Sequence, residues 1–423
     1  MLAETGAEQN GLSIEAIEII LLIGAVVAII ARRLKVPYTV GLVIAGIVIA
    51  FLPLGFEIAF SKELLFKILL PPLIFEAALY IHWKELKRDL IPVVTFASIG
   101  VLLSAAITAA VMHYVVGWAW PMAALFGVLI AATDPVSVIA TFKEAKVKGR
   151  LRLLVEAESL FNDSTAAVAF AIALTFAMGM SMSPGTAAAA FGLSIAGGIA
   201  SGLIVGWGCL FIAGRTTDHL VEIALTTIAA FGSFWLAEQF SFAGVHLSGV
   251  LAAMTAGLLV GNTNQLGFIT EKGEESIEDF WEFAAFVVNS IVFVILGISE
   301  AGQNFVTSLG AIGVAIAAVI IARAAAIYPI SAVFSFTKWK FEREHQHILF
   351  WGGLRGALAL ALALGIPDSV PYRSEILTVT FGVVAFSVFA QGLTMTPLLR
   401  RLGQIPSVEV LNRDEGDKGD KGD

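Results

Sequence analysis

From residue 12 to residue 399 the sequence is a succession of long apolar runs separated by short polar turns. A helix needs roughly 20 mainly apolar residues to cross about 30 Å of hydrocarbon, where no water is available to satisfy the backbone. Thirteen runs approach or exceed that length: 12–31, 36–54, 62–81, 89–116, 119–142, 151–180, 185–213, 218–240, 245–261, 278–300, 304–336, 345–366 and 372–399. They are continuous and rich in Ala, Leu and Ile, which predicts helices rather than the alternating strands of a barrel. Charged residues make up only 14% of the chain and hydrophobic ones 58%, whereas soluble domains carry about 25% charged residues. A soluble core cannot hide this much apolar surface, so a soluble enzyme is excluded. The single cysteine, Cys209, excludes a disulfide scaffold. The expected fold class is an all-α membrane protein of about 13 transmembrane helices.

Lys and Arg set the orientation. They follow the odd-numbered runs: Arg32, Arg33 and Lys35; Lys84, Lys87 and Arg88; Lys143, Lys146, Lys148, Arg150 and Arg152; Arg215; Lys272; Lys338, Lys340 and Arg343; Arg400 and Arg401. The opposite loops hold Lys62, Lys67 and Arg373. This predicts a multi-pass cell-membrane protein with the N-terminus outside and the C-terminus cytoplasmic. The first run has an acidic flank, Glu4 and Glu8, and a basic stop, so it reads as a span rather than a cleaved leader. Residues 1–401 read as one transmembrane domain, and 402–423, rich in Gly and charge, as a short disordered cytoplasmic tail. The net charge of −8 sits largely in the termini and the loop from Glu271 to Asp279 and implies no nucleic-acid partner.

Six ionisable residues fall well inside the runs: Glu76, Asp134, Glu158, Asp163, Arg323 and Arg355. Each costs about 2.5–3.5 kcal/mol at mid-membrane, so they must pair or bind something. Thr133-Asp134-Pro135 interrupts the fifth run, because Pro removes a backbone donor and disfavours helix in the residue before it. Such breaks are tolerated only where they line protein or water, and they are used to hold ions. In the sixth run Glu158 aligns with Asn162, and Ser159 with Asp163, at a spacing of four. The stripe offers hard oxygen ligands, suited to an alkali cation or a proton rather than a transition metal. Arg323 and Arg355 stay protonated and must find anions. Glycines flank Arg355 in Gly352-Gly353-Leu354-Arg355-Gly356, which predicts a second interrupted helix partnering the first. Six spans separate the two, as in paired repeats of inverted topology. Four carboxylates against two guanidiniums leave a surplus that a monovalent cation or protons could balance.

In four segments the chain resembles the sodium/proton exchangers, the first monovalent cation:proton antiporter family, NhaP-like and NHE-like. The likeness rests on Leu70-Pro71-Pro72-Leu73-Ile74-Phe75-Glu76, Ala132-Thr133-Asp134-Pro135-Val136, Glu158-Ser159-Leu160-Phe161-Asn162-Asp163 and Gly352-Gly353-Leu354-Arg355-Gly356-Ala357. Phe280-Trp281-Glu282, Asn289-Ser290 and Gly297 also look family-like. The resemblance covers about residues 12–400 and implies the antiporter fold: inverted repeats, two broken crossing helices, a core bundle and a dimerisation bundle, and a homodimer. It implies that Asp163 alternately binds cation and proton. Its neighbour Asn162 replaces a second Asp of electrogenic relatives, which implies one-for-one, electroneutral exchange. Asp134, Ser159, Thr133 and Glu76 would complete the cation site, and Glu158 would pair with Arg323 or Arg355. The implied substrates are Na+ or Li+, with K+ as the alternative, and H+; no cofactor and no enzymatic activity are implied.

Other readings fit less. An intramembrane aspartyl protease with Asp134 and Asp163 as its dyad expects a Gly-x-Gly-Asp context, which is absent. A channel expects a repeated filter, and a sodium-driven solute carrier expects a pocket for organic groups. His82, His113, His219, His246, His345 and His347 lie near span ends; the last two are the pair to examine for pH modulation. Trp118, Trp120, Trp339 and Tyr372 fit an aromatic belt. Glu156 reads as solvated at the cytoplasmic entrance, and Glu222 and Glu238 as helix-end residues.

Overall fold

The computed structural model describes residues 14–34, 37–52, 64–134, 138, 139, 142, 147, 149–263, 267–302 and 305–405. Lys35, Lys62, Pro135, Val136, Lys143, Lys146, Lys148 and all of the tail beyond residue 405 lie outside the described residues. The architecture is helical. Its helices are α1 (Ile14–Leu34), α2 (Tyr38–Ala50), α3 (Leu70–Leu79), α4 (Trp83–Val116), α5 (Trp120–Leu129), α6 (Arg150–Ala177), α7 (Pro184–Ala213), α8 (His219–Glu238), α9 (Gly249–Gly261), α10 (Glu271–Ala301), α11 (Leu309–Phe334), α12 (Arg343–Trp351), α13 (Ala357–Leu364) and α14 (Arg373–Arg401). By length and composition seven of these can cross a membrane: α4, α6, α7, α8, α10, α14, and α11 with the turn that precedes it. Helices α2, α5 and α9 are apolar but shorter.

Polar residues at the helix starts satisfy amides that have no partner within the helix. Ser183 accepts from the Thr186 amide at 3.1 Å, Asp218 from Leu220 at 2.9 Å, Ser248 from Leu251 at 3.2 Å and Thr270 from Gly273 at 3.0 Å. Several boundaries differ from the sequence expectation. Helix α10 begins at Glu271 rather than 278, because the Thr270 cap lets the acidic stretch join the helix. The eighth and ninth runs are joined by a two-stranded hairpin, Ser241–Phe242 with Val245–His246, so α9 starts only at Gly249. Helix α4 starts at Trp83, before its apolar part, as an amphipathic turn.

Small residues let helices approach closely. At the crossing of α2 and α10, a Cβ placed on Gly46 would stand 2.9 Å from Gly297 Cα, and one on Gly297 would stand 2.9 Å from Gly46 Cα. The two backbones are in direct contact there. Helix α6 packs against α5 and against α4. At one end of this bundle Arg150 joins three segments: it pairs with Asp89 of α4 at 2.7 Å and donates to the Lys340 carbonyl at 2.8 Å. Trp118 is buried, edge-on to Phe126, and does not belong to an aromatic belt; Trp120 and Tyr372 are exposed.

Candidate functional site

The two interruptions meet. Helix α5 ends at Leu129, and Ala132, Thr133 and Asp134 are non-helical; Val138 and Ile139 are helical again. The break therefore opens about a turn earlier than Thr133. Helix α12 ends at Trp351, and the chain runs through Gly352–Gly356 before α13 begins. The Asp134 amide donates to the Leu354 carbonyl at 2.8 Å, so the two breaks pair as backbone to backbone. Gly356 is required here, since any Cβ would collide with the Asp134 carboxylate.

The side chains at the breaks exchange places. Asp134 Oδ2 accepts from the Ala357 amide at 3.2 Å, at the N-terminus of α13. Arg355 Nη1 donates to the carbonyls of Ala131 and Ala132 at 2.9 and 3.1 Å, beyond the C-terminus of α5. A helix N-terminus favours an anion and a C-terminus a cation, so each charge sits at the helix end of matching polarity. Of the two arginines, it is Arg323 that takes Glu158: Nη1 to Oε1 at 2.8 Å and Nη2 to Oε2 at 3.1 Å. Arg323 also donates to the Leu349 carbonyl in the last turn of α12, through Nε at 3.3 Å and Nη2 at 2.9 Å. Glu158 and Arg323 are only 3% and 6% exposed, so this is a buried ion pair, and the Leu349 carbonyl takes further Arg323 donors. Arg355 pairs with no carboxylate within ion-pair distance among the described residues and is held instead by backbone oxygens.

Helix α6 supplies the rest. Ser159 Oγ donates to the Thr133 carbonyl at 2.6 Å, and Thr133 Oγ1 donates to Ser159 Oγ at 3.3 Å, tying the first break to α6. Asn162 is buried and its Nδ2 donates to Glu158 Oε1 at 3.4 Å, so its side chain is turned toward the ion pair. Asp163, one residue on, is half-buried on the wall of a cavity of about 320 Å³. Its Oδ1 is out of contact with solvent and has no hydrogen-bond partner among the described residues. The charges of Asp134, Glu158 and Arg355 act on it.

Thr133, Asp134, Ser159 and Asp163 line this cavity on one side, with Glu76 of α3 also on its wall. Asn162, Glu158, Arg323 and Arg355 are not part of the lining. Glu156 lines it too, but it is not solvated as its position in the sequence suggests: it is largely buried and accepts from Arg152 at 2.7 Å. Glu222 is likewise more than a helix-end residue, since it is buried and accepts from the Thr270 amide and hydroxyl at 3.1 and 3.0 Å. The chemistry on offer is a set of carboxylate, hydroxyl and carbonyl oxygens around one cavity. That set suits a hard cation or a proton. Sequence reasoning did not single out Tyr38 and Asn289 as lining residues; the Asn289-Ser290 pair inside an apolar helix was the available signal.

A family model described as sodium/hydrogen exchanger, transmembrane, matches residues 19–401. The Na(+)/H(+) antiporter ApNhaP of Aphanothece halophytica is 38% identical over 373 residues, which is 88% of this chain and 70% of that protein. The low-affinity Na(+)/H(+) antiporter NhaS1 of Synechocystis is 35% identical over 377 residues, again 88% of this chain and 70% of that protein. Among solved structures, the sodium proton antiporter MjNhaP1 from Methanocaldococcus jannaschii superposes with a TM-score of 0.74 at 22% identity, covering 92% of this chain and 98% of that one.

Proposed function

This chain belongs to the sodium/hydrogen exchanger family, and from that premise we propose that it exchanges Na+ or Li+ for H+ across a membrane, one for one, at Asp163. The observation that carries the reading is the contrast between Asp163 and its neighbours. Glu158 is neutralised by Arg323, Asp134 sits on the α13 amide, and Arg355 sits on the carbonyls just beyond α5. Asp163 faces the cavity with one carboxylate oxygen unpartnered among the described residues. Either a cation or a proton can neutralise it, and the two compete for the same oxygens.

In this mechanism Thr133, Asp134, Ser159 and Glu76 provide the remaining cation ligands. The cross-capped breaks hold Asp134 and the Thr133 carbonyl at fixed positions, so the cation exchanges its water shell for oxygens already in place. A loaded Asp163, neutral in either form, can be carried across the membrane; the empty, charged form cannot, and this couples the two fluxes. Asn162 bears no charge and is engaged with Glu158, so of this adjacent pair Asp163 alone carries the exchanged proton and the exchange is electroneutral. The wider arrangement belongs to the same proposal: thirteen crossings with inverted repeats, a core and a dimerisation bundle within residues 1–401, a homodimer, the N-terminus outside and the C-terminus in the cytoplasm, and a role in pH homeostasis at the cell membrane.

The test uses purified protein in proteoliposomes with an internal pH dye, under imposed gradients of Na+, Li+ and K+, with and without a potential clamp. Proton movement driven by Na+ or Li+, indifferent to potential and lost in Asp163→Asn, is the expected result. A response mainly to K+ would keep the site and change the substrate. Exchange that survives Asp163→Asn would remove that residue from the mechanism.

A further inference from the structure

Asn289 sits in the middle of α10 within the stretch Phe283–Leu296, where it and Ser290 are the only polar residues. The structure accounts for Ser290: its Oγ donates to the Phe286 carbonyl at 2.7 Å and is hydrogen-bonded to the Tyr38 hydroxyl. Asn289 is not accounted for in that way. Its Oδ1 is buried and has no hydrogen-bond partner among the described residues. A buried acceptor left unmade costs about 1–3 kcal/mol, and in a membrane helix an apolar residue would avoid that cost. Asn289 also lines the cavity that holds Asp163. Within this one cavity lining, the buried side-chain oxygens without a partner among the described residues are Asp163 Oδ1, on α6, and Asn289 Oδ1, on α10.

We propose that Asn289 is a neutral ligand for the transported cation, offering its amide oxygen from the α10 wall while Asp163 offers its carboxylate from α6. The inference rests on the exchange reading given above and adds a residue to its cation site. An amide oxygen resembles a water oxygen as a ligand for a hard cation. At about 320 Å³ the cavity is far larger than the 10–15 Å³ or so that one water needs. A cation can therefore enter partly hydrated and replace one water with this oxygen. Because the amide does not titrate, it favours the cation without competing for the proton. Asn289 thus tunes the balance between the two substrates in one direction only, which the carboxylates of Glu76 and Asp134 cannot do.

The experiment compares wild type with Asn289→Ala, Asn289→Leu, which fills similar volume without an oxygen, and Asn289→Gln, which keeps the amide. Two readouts are taken: the Na+ dependence of exchange in proteoliposomes across pH, and the thermal stabilisation of detergent-purified protein by NaCl over choline chloride, which reports binding without transport. Ala and Leu are expected to raise the KM for Na+ and the Na+ concentration for half-maximal stabilisation by about tenfold, equivalent to about 1.4 kcal/mol. Maximal rate should stay within about twofold, the pH midpoint should not move when Na+ is held at the same multiple of each variant's alkaline-pH KM, and Gln should recover part of the loss. If Ala does not fold, Leu and Gln still decide the matter. Unchanged Na+ affinity in Leu, or a pH midpoint that still shifts at matched multiples of KM, would overturn the proposal while leaving antiport intact. A wild type that is stabilised by Na+ in an Asn289-dependent way but moves no protons would do the reverse. A wild type that neither binds nor exchanges Na+, Li+ or K+ would overturn both.

Discussion

Asp134 and Arg355 each stabilise the end of the helix to which the other is joined. Asp134, in the break after α5, accepts from the first amide of α13, and Arg355, just before α13, donates to the carbonyls that follow α5. The arrangement resolves the main difficulty of a broken helix in a membrane, which is that its exposed backbone groups must find partners without water. It also makes each break depend on the other, so the pair forms a single unit resting on α6 through Ser159 and Thr133.

Gly356→Ala tests that unit. The added Cβ collides with the Asp134 carboxylate, and overpacking of this kind costs about 1–3 kcal/mol. Exchange activity should fall by about tenfold or more, with the protein still inserted and dimensionally intact by size-exclusion chromatography. Wild-type activity in this variant would mean that the breaks can separate without consequence.

Glu158→Gln removes the anion from Arg323 and leaves a buried guanidinium with only the Leu349 carbonyl and an amide. Breaking one side of a buried pair costs about 3–5 kcal/mol, so the detergent melting temperature should drop by many degrees. The double variant Glu158→Leu with Arg323→Met should recover much of it, because no uncompensated charge remains. A stable Glu158→Gln protein with weakened Na+ affinity would instead place Glu158 in the cation site.

Asn162→Asp adds a second titratable group beside Asp163 without adding volume. In liposomes with a clamped potential, the variant's exchange should become sensitive to voltage, because a cycle that moves an extra proton moves net charge. Exchange that stays indifferent to potential would assign the stoichiometry to some other residue.

Asp89→Asn releases Arg150 from its carboxylate but leaves its bonds to the Lys340 and Trp339 carbonyls. Arg150 is a third exposed, so the pair is partly screened and its loss should cost about 1 kcal/mol. A small fall in melting temperature is expected, shrinking at high salt, with the KM for Na+ unchanged. A change in KM would connect this clamp to the site.

Much of the site was legible because it is local. The spacing of four on α6 places Glu158 with Asn162 and Ser159 with Asp163, and a helix realises that spacing wherever it packs. Both interruptions were also legible, from Pro135 and from the glycines around Arg355. What could not be read was pairing over long separations. Glu158 and Arg323 are 165 residues apart, and nothing in either segment says which arginine faces α6; the packing of α11 beside α12 decides it. Reading Arg355 as the partner of a carboxylate failed to allow for backbone carbonyls as anion substitutes, which become available only where a helix has ended. The α10 start was misjudged for a related reason. The apolar pattern begins at 278, but the Thr270 cap and the Glu222 carboxylate beneath it extend the helix backward through residues that no hydropathy count would include.

The contact between Gly46 and Gly297 bears on how the cavity can open. Side chains between helices act as bearings: they change rotamer and let one rod slide along the other. Between α2 and α10 that layer is missing at the crossing, and a Cβ added to either glycine would collide with a carbonyl oxygen of the other helix. Those helices therefore behave as one stave. Any relative movement of helices that opens the cavity is therefore expected to carry α2 and α10 together, as one body.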